Sequence, residues 1–241
     1  MTEKIYLGDS YLKELEAQIT SIENNTVVFD KTIFYPTGGG QPTDTGNVYI
    51  NGKEYKVLEA KKSDNDIIHV LDRNPDAKVG DLVKMKIDWE RRYAHMRYHT
   101  AVHIIDGIVS KKYNGELTGG QIYEDSAHDD FDIPNFSKEL MESVIADAQK
   151  IVEENRRVVA RILSKEEAEK VTNLARTEPG RVLLSKLTEF RVIDIEGFDM
   201  QLDGGTHVAT TKEVGKIVLS KIENKGTHRK RVEIKLEPTT S

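Results

Sequence analysis

The spacing of apolar residues changes at Asp88, and this change most constrains the fold of the chain. Before Asp88, short runs of β-branched and aromatic residues alternate with turn residues, which predicts strands. After it, "WERRYAHMRYHTAVHIIDGIVSKKY" repeats apolar residues every three to five positions, which predicts a helix. We therefore predict an α+β fold with two domains, residues 1–88 and 89–241.

The first domain is predicted to be a small β-barrel or sandwich, with a barrel preferred. Its predicted strands include "TVVFD", "GNVYI", "KEYKVLEA" and "DIIHVL". Asn51 and Gly52 separate the second strand from the third, and this dipeptide readily adopts the positive φ angles of a tight type I′ turn. A hairpin is expected there.

The second domain is predicted to pack a long helix on an antiparallel sheet. Ser137 is the expected N-cap of the long helix "KELMESVIADAQKIVEENRRV", and Ser164 with Glu167 has the spacing of a capping box. The remaining stretches are strand-like, namely "FRVIDIEGF", "THVATT", "VGKIVLSKIENKG" and "KRVEIKL".

The composition of the chain limits which partners it is expected to bind and which residue types can serve as metal ligands. With 41 acidic and 35 basic residues the net charge is −6, which argues against backbone-dominated nucleic-acid binding, so we expect no DNA partner. No apolar run is long enough to cross a bilayer and no signal peptide is recognisable, so we expect a cytoplasmic protein without a membrane partner. Cysteine is absent, so any metal must be bound by imidazole and oxygen.

Two pairs of metal-ligating residues are separated by about a hundred positions. His99 and His103 are four apart on the predicted helix, and Asp203 and His207 are four apart around two glycines. Either pair alone is also compatible with a site that binds no metal. Together, a helical pair and a turn pair are what a tetrahedral zinc site built from distant segments requires.

A glycine-rich segment, "FYPTGGGQPTDTG", lies at residues 34–46. Its glycines and prolines fit neither a helix nor a regular strand, so we expect a specialised loop. It lacks the Gly-Lys-Ser/Thr ending of a phosphate-binding P-loop, and a long hairpin loop is the simpler alternative.

The segments "YPTGGGQPTDTG", "HMRYHTAVHII" and "GGTHVATTKEVGKI", in this order, resemble the alanyl-tRNA editing proteins of the AlaX family. These proteins are free-standing relatives of the editing domain of alanyl-tRNA synthetase, and the N-terminal domain is typical of their medium-length type. The resemblance implies an aminoacyl-tRNA hydrolase that deacylates mischarged tRNA(Ala), releasing serine and, in some members, glycine. It also implies one Zn²⁺ per chain and the acceptor end of tRNA(Ala) as partner.

The resemblance places zinc ligands on His99, His103, Asp203 and His207, with Asp203 where the family has cysteine. A carboxylate conserves the charge of a thiolate and also binds zinc, but oxygen is a harder ligand than sulfur. Asp203 is therefore expected to be either a fourth ligand or a base beside the metal.

Further candidate residues follow from the chemistry that this reaction would require. Thr100 and Gln41 join Asp203 as catalytic candidates, and Thr100 is expected to contact the serine hydroxyl or, alternatively, to bond to its own helix backbone. The candidates for substrate or tRNA binding are Gly38, Gly39, Gly40, Asp44 and His128. A surface role for His128 remains an alternative.

Two other functions remain compatible with the sequence. One is a non-catalytic tRNA-binding protein with a structural metal, and the other is a metallohydrolase acting on another small ester. The sequence leaves open whether the chain is a monomer or a homodimer.

Overall fold

The structure, a computed structural model, describes residues 1–237, and the chain divides into two compact units. The first unit comprises residues 1–94 and the second begins at His95. The boundary lies inside helix α1 (Trp89–Tyr113). Within residues 1–237, no helix is long and apolar enough to cross a membrane.

The first unit is a closed six-stranded antiparallel barrel, which confirms the barrel prediction. Its strands are β1 (Glu3–Lys4), β2 (Glu14–Glu23), β3 (Thr26–Phe29), β4 (Lys31–Thr32), β5 (Gly46–Ile50), β6 (Lys53–Ser63), β7 (Asp66–Leu71) and β8 (Leu82–Ile87). The barrel order is β2-β3-β7-β6-β5-β8, and β1 and β4 form a short parallel pair beside it. Alternate residues along each strand fill the interior, such as Val48 and Ile50 on β5.

The predicted hairpin at Asn51 and Gly52 is confirmed. Both residues have positive φ angles, 51° and 76°, as a type I′ turn requires. The turn joins β5 to β6, which pair in antiparallel register.

The barrel interior contains one histidine. His69 on β7 is completely buried between aromatic rings, and its Nε2 lies 2.8 Å from the Thr32 hydroxyl. Burial lowers the pKa of His69 from 6.5 to about 4. Because the folded pKa is depressed, the neutral ring stabilises the barrel fully above pH 6.5, and this stabilisation is lost as the pH falls toward 4.

We predict that the barrel loses about 3 kcal/mol of stability through His69 between pH 7 and pH 4. The single tryptophan, Trp89, packs against the barrel core and reports its unfolding by fluorescence in urea. His69→Gln cannot titrate and should show a shallower loss over this range, while the exposed His228→Gln should follow the wild type. Parallel curves for wild type and His69→Gln would contradict the prediction.

The second unit combines helices with two antiparallel sheets. After α1 its elements are β9 (Glu116–Ile122), β10 (Ala127–Asp132), α2 (Lys138–Glu153), β11 (Val158–Ser164), α3 (Lys165–Ala168), α4 (Glu178–Lys186), β12 (Glu189–Ile195), β13 (Asp199–Leu202), a 3-10 helix (Thr211–Val214), β14 (Lys216–Asn224) and β15 (Lys230–Glu237). The sheet orders are β14-β15-β10-β9 and β11-β12-β13.

The long helix α2 packs on the first of these sheets, as predicted. Its buried residues include Val144, Ala148 and Val152, and Gln149 Oε1 accepts a hydrogen bond of 2.9 Å from the backbone N–H of Ile217 on β14. Ser137 caps the helix by accepting from the Leu140 N–H. The capping box of Ser164 and Glu167 is also present, at the start of α3.

The prediction of a strand at "THVATT" is wrong. Residues 206–209 form a loop, and the 3-10 helix follows. Thr210 and Glu213 form a capping box, and the Thr211 hydroxyl donates to the Ile151 carbonyl at 2.8 Å. These side-chain bonds replace a strand ladder, because threonine near a turn readily bonds to backbone groups.

Candidate metal centre

Helix α1 places His99 and His103 side by side. Residues four apart project from the same helix face, and the two imidazole centroids lie 4.9 Å apart at nearly a right angle. Both side chains are buried, with exposed fractions of 3% and 8%. Two rings in this arrangement can present nitrogen atoms to a common point.

The loop after β13 brings Asp203 and His207 to the same point. The N–H of Gly205 donates to the Asp203 carboxylate at 2.5 Å, which holds the turn closed. The His207 ring centroid lies 4.3 Å from that of His99 and 4.6 Å from that of His103. The structure thus brings together all four residues that the sequence proposed as ligands.

The distances between the four donor groups fit a single metal ion. All four ligand atoms lie within 4.8 Å of one another. Asp203 Oδ1 is 3.5 Å from His99 Nε2, and Asp203 Oδ2 is 3.1 Å from His207 Nε2. The edge of a tetrahedron with zinc–ligand bonds near 2.1 Å is roughly 3.4 Å. Three imidazoles and one carboxylate form a donor set that zinc accepts.

The buried environment fixes the protonation states of the cluster. Burial lowers the pKa of His99 to about 3 and lowers the pKa of His103 and His207. Burial would raise the pKa of Asp203, but the charges that His99 and His207 can carry hold it well below its ordinary value. At neutral pH the cluster therefore consists of neutral rings and an ionised carboxylate, the forms that bind metal.

Thr100 contacts His207 and is shielded from solvent. Its hydroxyl is completely buried, lies 3.1 Å from His207 Nδ1, and donates to the Met96 carbonyl at 3.0 Å. The Val208 N–H also donates to it, at 3.3 Å. The bond to Met96 is the bond to its own helix backbone that the sequence left open. The hydroxyl orients His207 with Nε2 toward Asp203.

Two supporting residues were missed by sequence reasoning. Arg191 on β12 donates to the Asp203 carbonyl at 2.8 Å and lies 3.8 Å from its carboxylate. Gln201 on β13 donates to the His103 carbonyl at 3.1 Å. A polar residue pointing inward from a strand, two positions before a proposed ligand, was the available signal for Gln201.

The other candidate residues lie elsewhere in the chain. In the first unit, Gly38 and Gln41 bond to each other across the turn of Gly39 and Gly40, whose φ angles are 58° and 79°. Asp44 is completely buried and accepts hydrogen bonds from the Tyr35 N–H and from Arg92. Gln41 is also completely buried. A role for this loop in substrate binding stays a prediction.

His128 lies on β10 in the second unit and is not one of the four candidate ligands. Its ring is half-buried and lies 6.0 Å from the ring of Tyr123. Burial lowers its pKa. A contact with RNA stays a prediction.

Comparison with family models identifies the class of protein. Residues 3–91 match the model of "tRNA synthetases class II (A)", and residues 190–233 match the "Threonyl and Alanyl tRNA synthetase second additional domain". Residues 3–91, which include the barrel, and residues 190–233, which include Asp203 and His207, are therefore similar to domains of aminoacyl-tRNA synthetases.

Similar whole proteins identify the family. The chain is 41% identical to the alanyl-tRNA editing protein AlaX-M of Saccharolobus solfataricus, covering 99% of this chain and all of that protein. It is 38% identical to AlaX-M of Methanosarcina mazei, over 96% of this chain and 95% of that protein. The alanine–tRNA ligase of Ignicoccus hospitalis is 36% identical over 90% of this chain, which spans 24% of the ligase. The chain belongs to the alanyl-tRNA editing protein family AlaX-M, and it is an aminoacyl-tRNA deacylase, a hydrolase.

Proposed function

We propose that the chain removes serine, and also glycine, from mischarged tRNA(Ala), using one zinc ion held by His99, His103, His207 and Asp203. The observation that carries the proposal is the convergence of these four donors within 4.8 Å of one another. The family supplies the substrate class, since the relatives are named alanyl-tRNA editing proteins. The acceptor end of tRNA(Ala) is the proposed partner, in the cytoplasm.

The chain's own residues would position the reacting ester. A bound zinc ion polarises an ester carbonyl or lowers the pKa of a water molecule. His99 and His103 hold one side of the site from helix α1, while His207 is fixed from behind by Thr100. Arg191 holds the backbone of Asp203 and places a positive charge beside its carboxylate. The buried position of the three imidazoles excludes bulk water from the ligands.

The experiment that tests the proposal is deacylation of Ser-tRNA(Ala) and Gly-tRNA(Ala) with and without a strong chelator. We expect ester hydrolysis that chelation reduces at least about 100-fold and that added zinc restores. Full activity of metal-free protein would contradict the proposed metal. A tight complex with tRNA(Ala) that never loses its ester would contradict hydrolysis, and equal activity on small free esters would contradict tRNA as the substrate.

The role of Asp203 can be tested by exchanging its ligand atom. We predict that Asp203→Cys keeps one zinc per chain and a deacylation rate within about tenfold of wild type, because thiolate and carboxylate both bind zinc with one negative charge. Asp203→Ala should lower zinc affinity about 10- to 100-fold or more, measured by competition with a chelating dye. If Asp203 acts as a base instead, both variants would keep zinc and lose activity.

Thr100→Val tests whether the hydroxyl orients His207 or contacts the serine side chain. Since all three of its hydrogen bonds are internal, we predict about 10- to 100-fold weaker zinc binding and an equal loss of rate with seryl and glycyl substrates. A loss confined to the seryl substrate, with zinc affinity unchanged, would show that the hydroxyl contacts serine.

The glycine-rich loop and His128 complete the proposal. We assign Gly38, Gly39, Gly40, Gln41 and Asp44 to the approach of the substrate end, because a turn of glycines leaves backbone N–H groups accessible to an anion. His128 is proposed to contact RNA from strand β10.

A further inference from the structure

Two buried carboxyl groups of the second unit do not belong to the group of four candidate ligands. Asp106 follows His103 on α1 by three residues, a rise of about 4.5 Å along the helix. Asp129 lies on β10, on the buried face of its sheet. Their exposed fractions are 2% and 7%. A buried carboxyl is costly unless a partner compensates its charge.

Asp106 is only partly compensated. Its Oδ2 accepts a hydrogen bond of 3.1 Å from Arg176 Nη1, but its buried Oδ1 has no hydrogen-bond partner within residues 1–237. Arg176 is shared, because its Nη2 donates to Asp199 at 2.7 Å. Gln201 donates to both Asp199 and the His103 carbonyl, which ties this network to the metal cluster.

The Asp129 carboxyl has no hydrogen bond or ion pair within residues 1–237, although its backbone pairs with β9 and β15. Its neighbour Asp130 is instead paired with Arg229 and Arg231. Burial, and then the charges of Asp106 and Asp130, raise the pKa of Asp129 well above its ordinary value. The position is therefore one that a cation would stabilise.

The backbone opposite Asp129 lies close to its carboxyl. Gly120 on β9 pairs with Asp129, and a β-carbon at Gly120 would lie 2.5 Å from Asp129 Oδ1. A side chain at this position would therefore displace the carboxyl. Within residues 1–237, Arg176 pairs with both Asp106 and Asp199, Lys111 pairs with Asp199, and the Asp129 carboxyl has no ion pair.

We propose that Asp106 and Asp129 bind the α-ammonium group of the aminoacyl ester. The proposal rests on the function proposed above and adds how the amino acid is recognised. In an aminoacyl ester the ammonium nitrogen is bonded to the carbon next to the ester carbonyl, so a carbonyl held at the cluster places the ammonium within a few ångströms of it. Asp106, one helical turn from His103, lies at that range.

Binding of the ammonium group by Asp106 and Asp129 would determine which esters the enzyme hydrolyses. Esters with a free amino group gain charged hydrogen bonds to Asp106 and Asp129, whereas esters whose amino group is acylated, such as peptidyl-tRNA, bury the carboxyls without a cation. The enzyme would therefore act on aminoacyl-tRNA and spare peptidyl-tRNA.

The experiment compares seryl-tRNA(Ala) with 3-hydroxypropionyl-tRNA(Ala), which carries hydrogen in place of the ammonium group. Each enzymatic kcat/KM is divided by the uncatalysed hydrolysis rate of the same ester, which removes the difference in intrinsic reactivity. In the wild type we expect the seryl ester to be accelerated about 30-fold more than the analogue. In Asp129→Asn the seryl value should fall about 30-fold while the analogue is unchanged.

Control variants distinguish a loss of ammonium binding from a loss of folding or of zinc binding. Asp125→Asn, at an exposed position in the turn between β9 and β10, should behave as the wild type. Asp106→Asn provides a second variant, and the comparison of the two esters in the wild type requires no variant at all. Zinc content should stay at one per chain throughout.

Three results would overturn the inference. The wild type could accelerate both esters equally, or Asp129→Asn could lose activity on both equally. The third is a second metal ion per chain that Asp129→Asn removes, which would make the pocket a metal site. Failure of the proposed function is distinguishable, because a folded wild type would then leave seryl-tRNA(Ala) itself intact, and the inference would fall with it.

Discussion

Replacing His207 with alanine is expected to abolish stoichiometric zinc binding and to slow Ser-tRNA(Ala) deacylation at least about 1000-fold. His207 contributes the imidazole that the loop after β13 adds to the four candidate ligands. Its loss removes one nitrogen donor and the contact with Asp203. Zinc content after dialysis and single-turnover deacylation measure the two effects.

The matched control is His228→Ala. His228 is exposed and pairs with Asp132 on the surface of the same unit, so its removal should change neither zinc content nor rate. A folded His207→Ala protein that retains one zinc per chain and wild-type rates would show that the cluster is not the metal site.

Asp44→Ala is expected to lower the free energy of unfolding of the barrel unit by about 3–5 kcal/mol. Arg92 and Asp44 are both completely buried, and Arg92 also donates to the carbonyls of Ser10 and Ile33. Removing the carboxylate leaves an uncompensated guanidinium in the core and frees the Tyr35 N–H. Urea unfolding followed by Trp89 fluorescence measures the change.

An exposed ion pair of the same barrel is the control. Lys53 and Asp76 lie 2.7 Å apart with exposed side chains, and Asp76→Ala should barely change the unfolding curve because solvent screens the pair. Equal effects of Asp44→Ala and Asp76→Ala would contradict a structural role for the buried pair. They would favour a role of Asp44 confined to the substrate.

The barrel was predictable because local sequence and tertiary burial agree. The alternation in "GNVYI" and "DIIHVL" and the turn at Asn51 and Gly52 each require only neighbouring residues. Strand β2 was not identified, although it closes the barrel between β3 and β8. Its sequence, "ELEAQITSIE", is rich in glutamate, and only Ala17 and Ile19 of the strand are buried, so the apolar signal of a strand is weak.

The grouping of His99, His103, Asp203 and His207 was predictable because each pair is four residues apart, a spacing that allows two side chains to approach one point. The network of Asp106, Arg176 and Asp199 was not, because its members come from separate elements and none has a partner at a diagnostic spacing. Only the tertiary structure places these charges together. The same holds for Thr100. Its position within "HTAVH" made it a candidate, but its contact with His207 depends on the tertiary structure.

The most direct test of the central claim is the position of the metal itself. Crystals of the protein grown with zinc should show one anomalous peak per chain at the zinc absorption edge, bonded at about 2.0–2.2 Å to His99, His103, His207 and Asp203. A peak bonded to other residues, or none at this cluster in zinc-saturated crystals, would contradict the account.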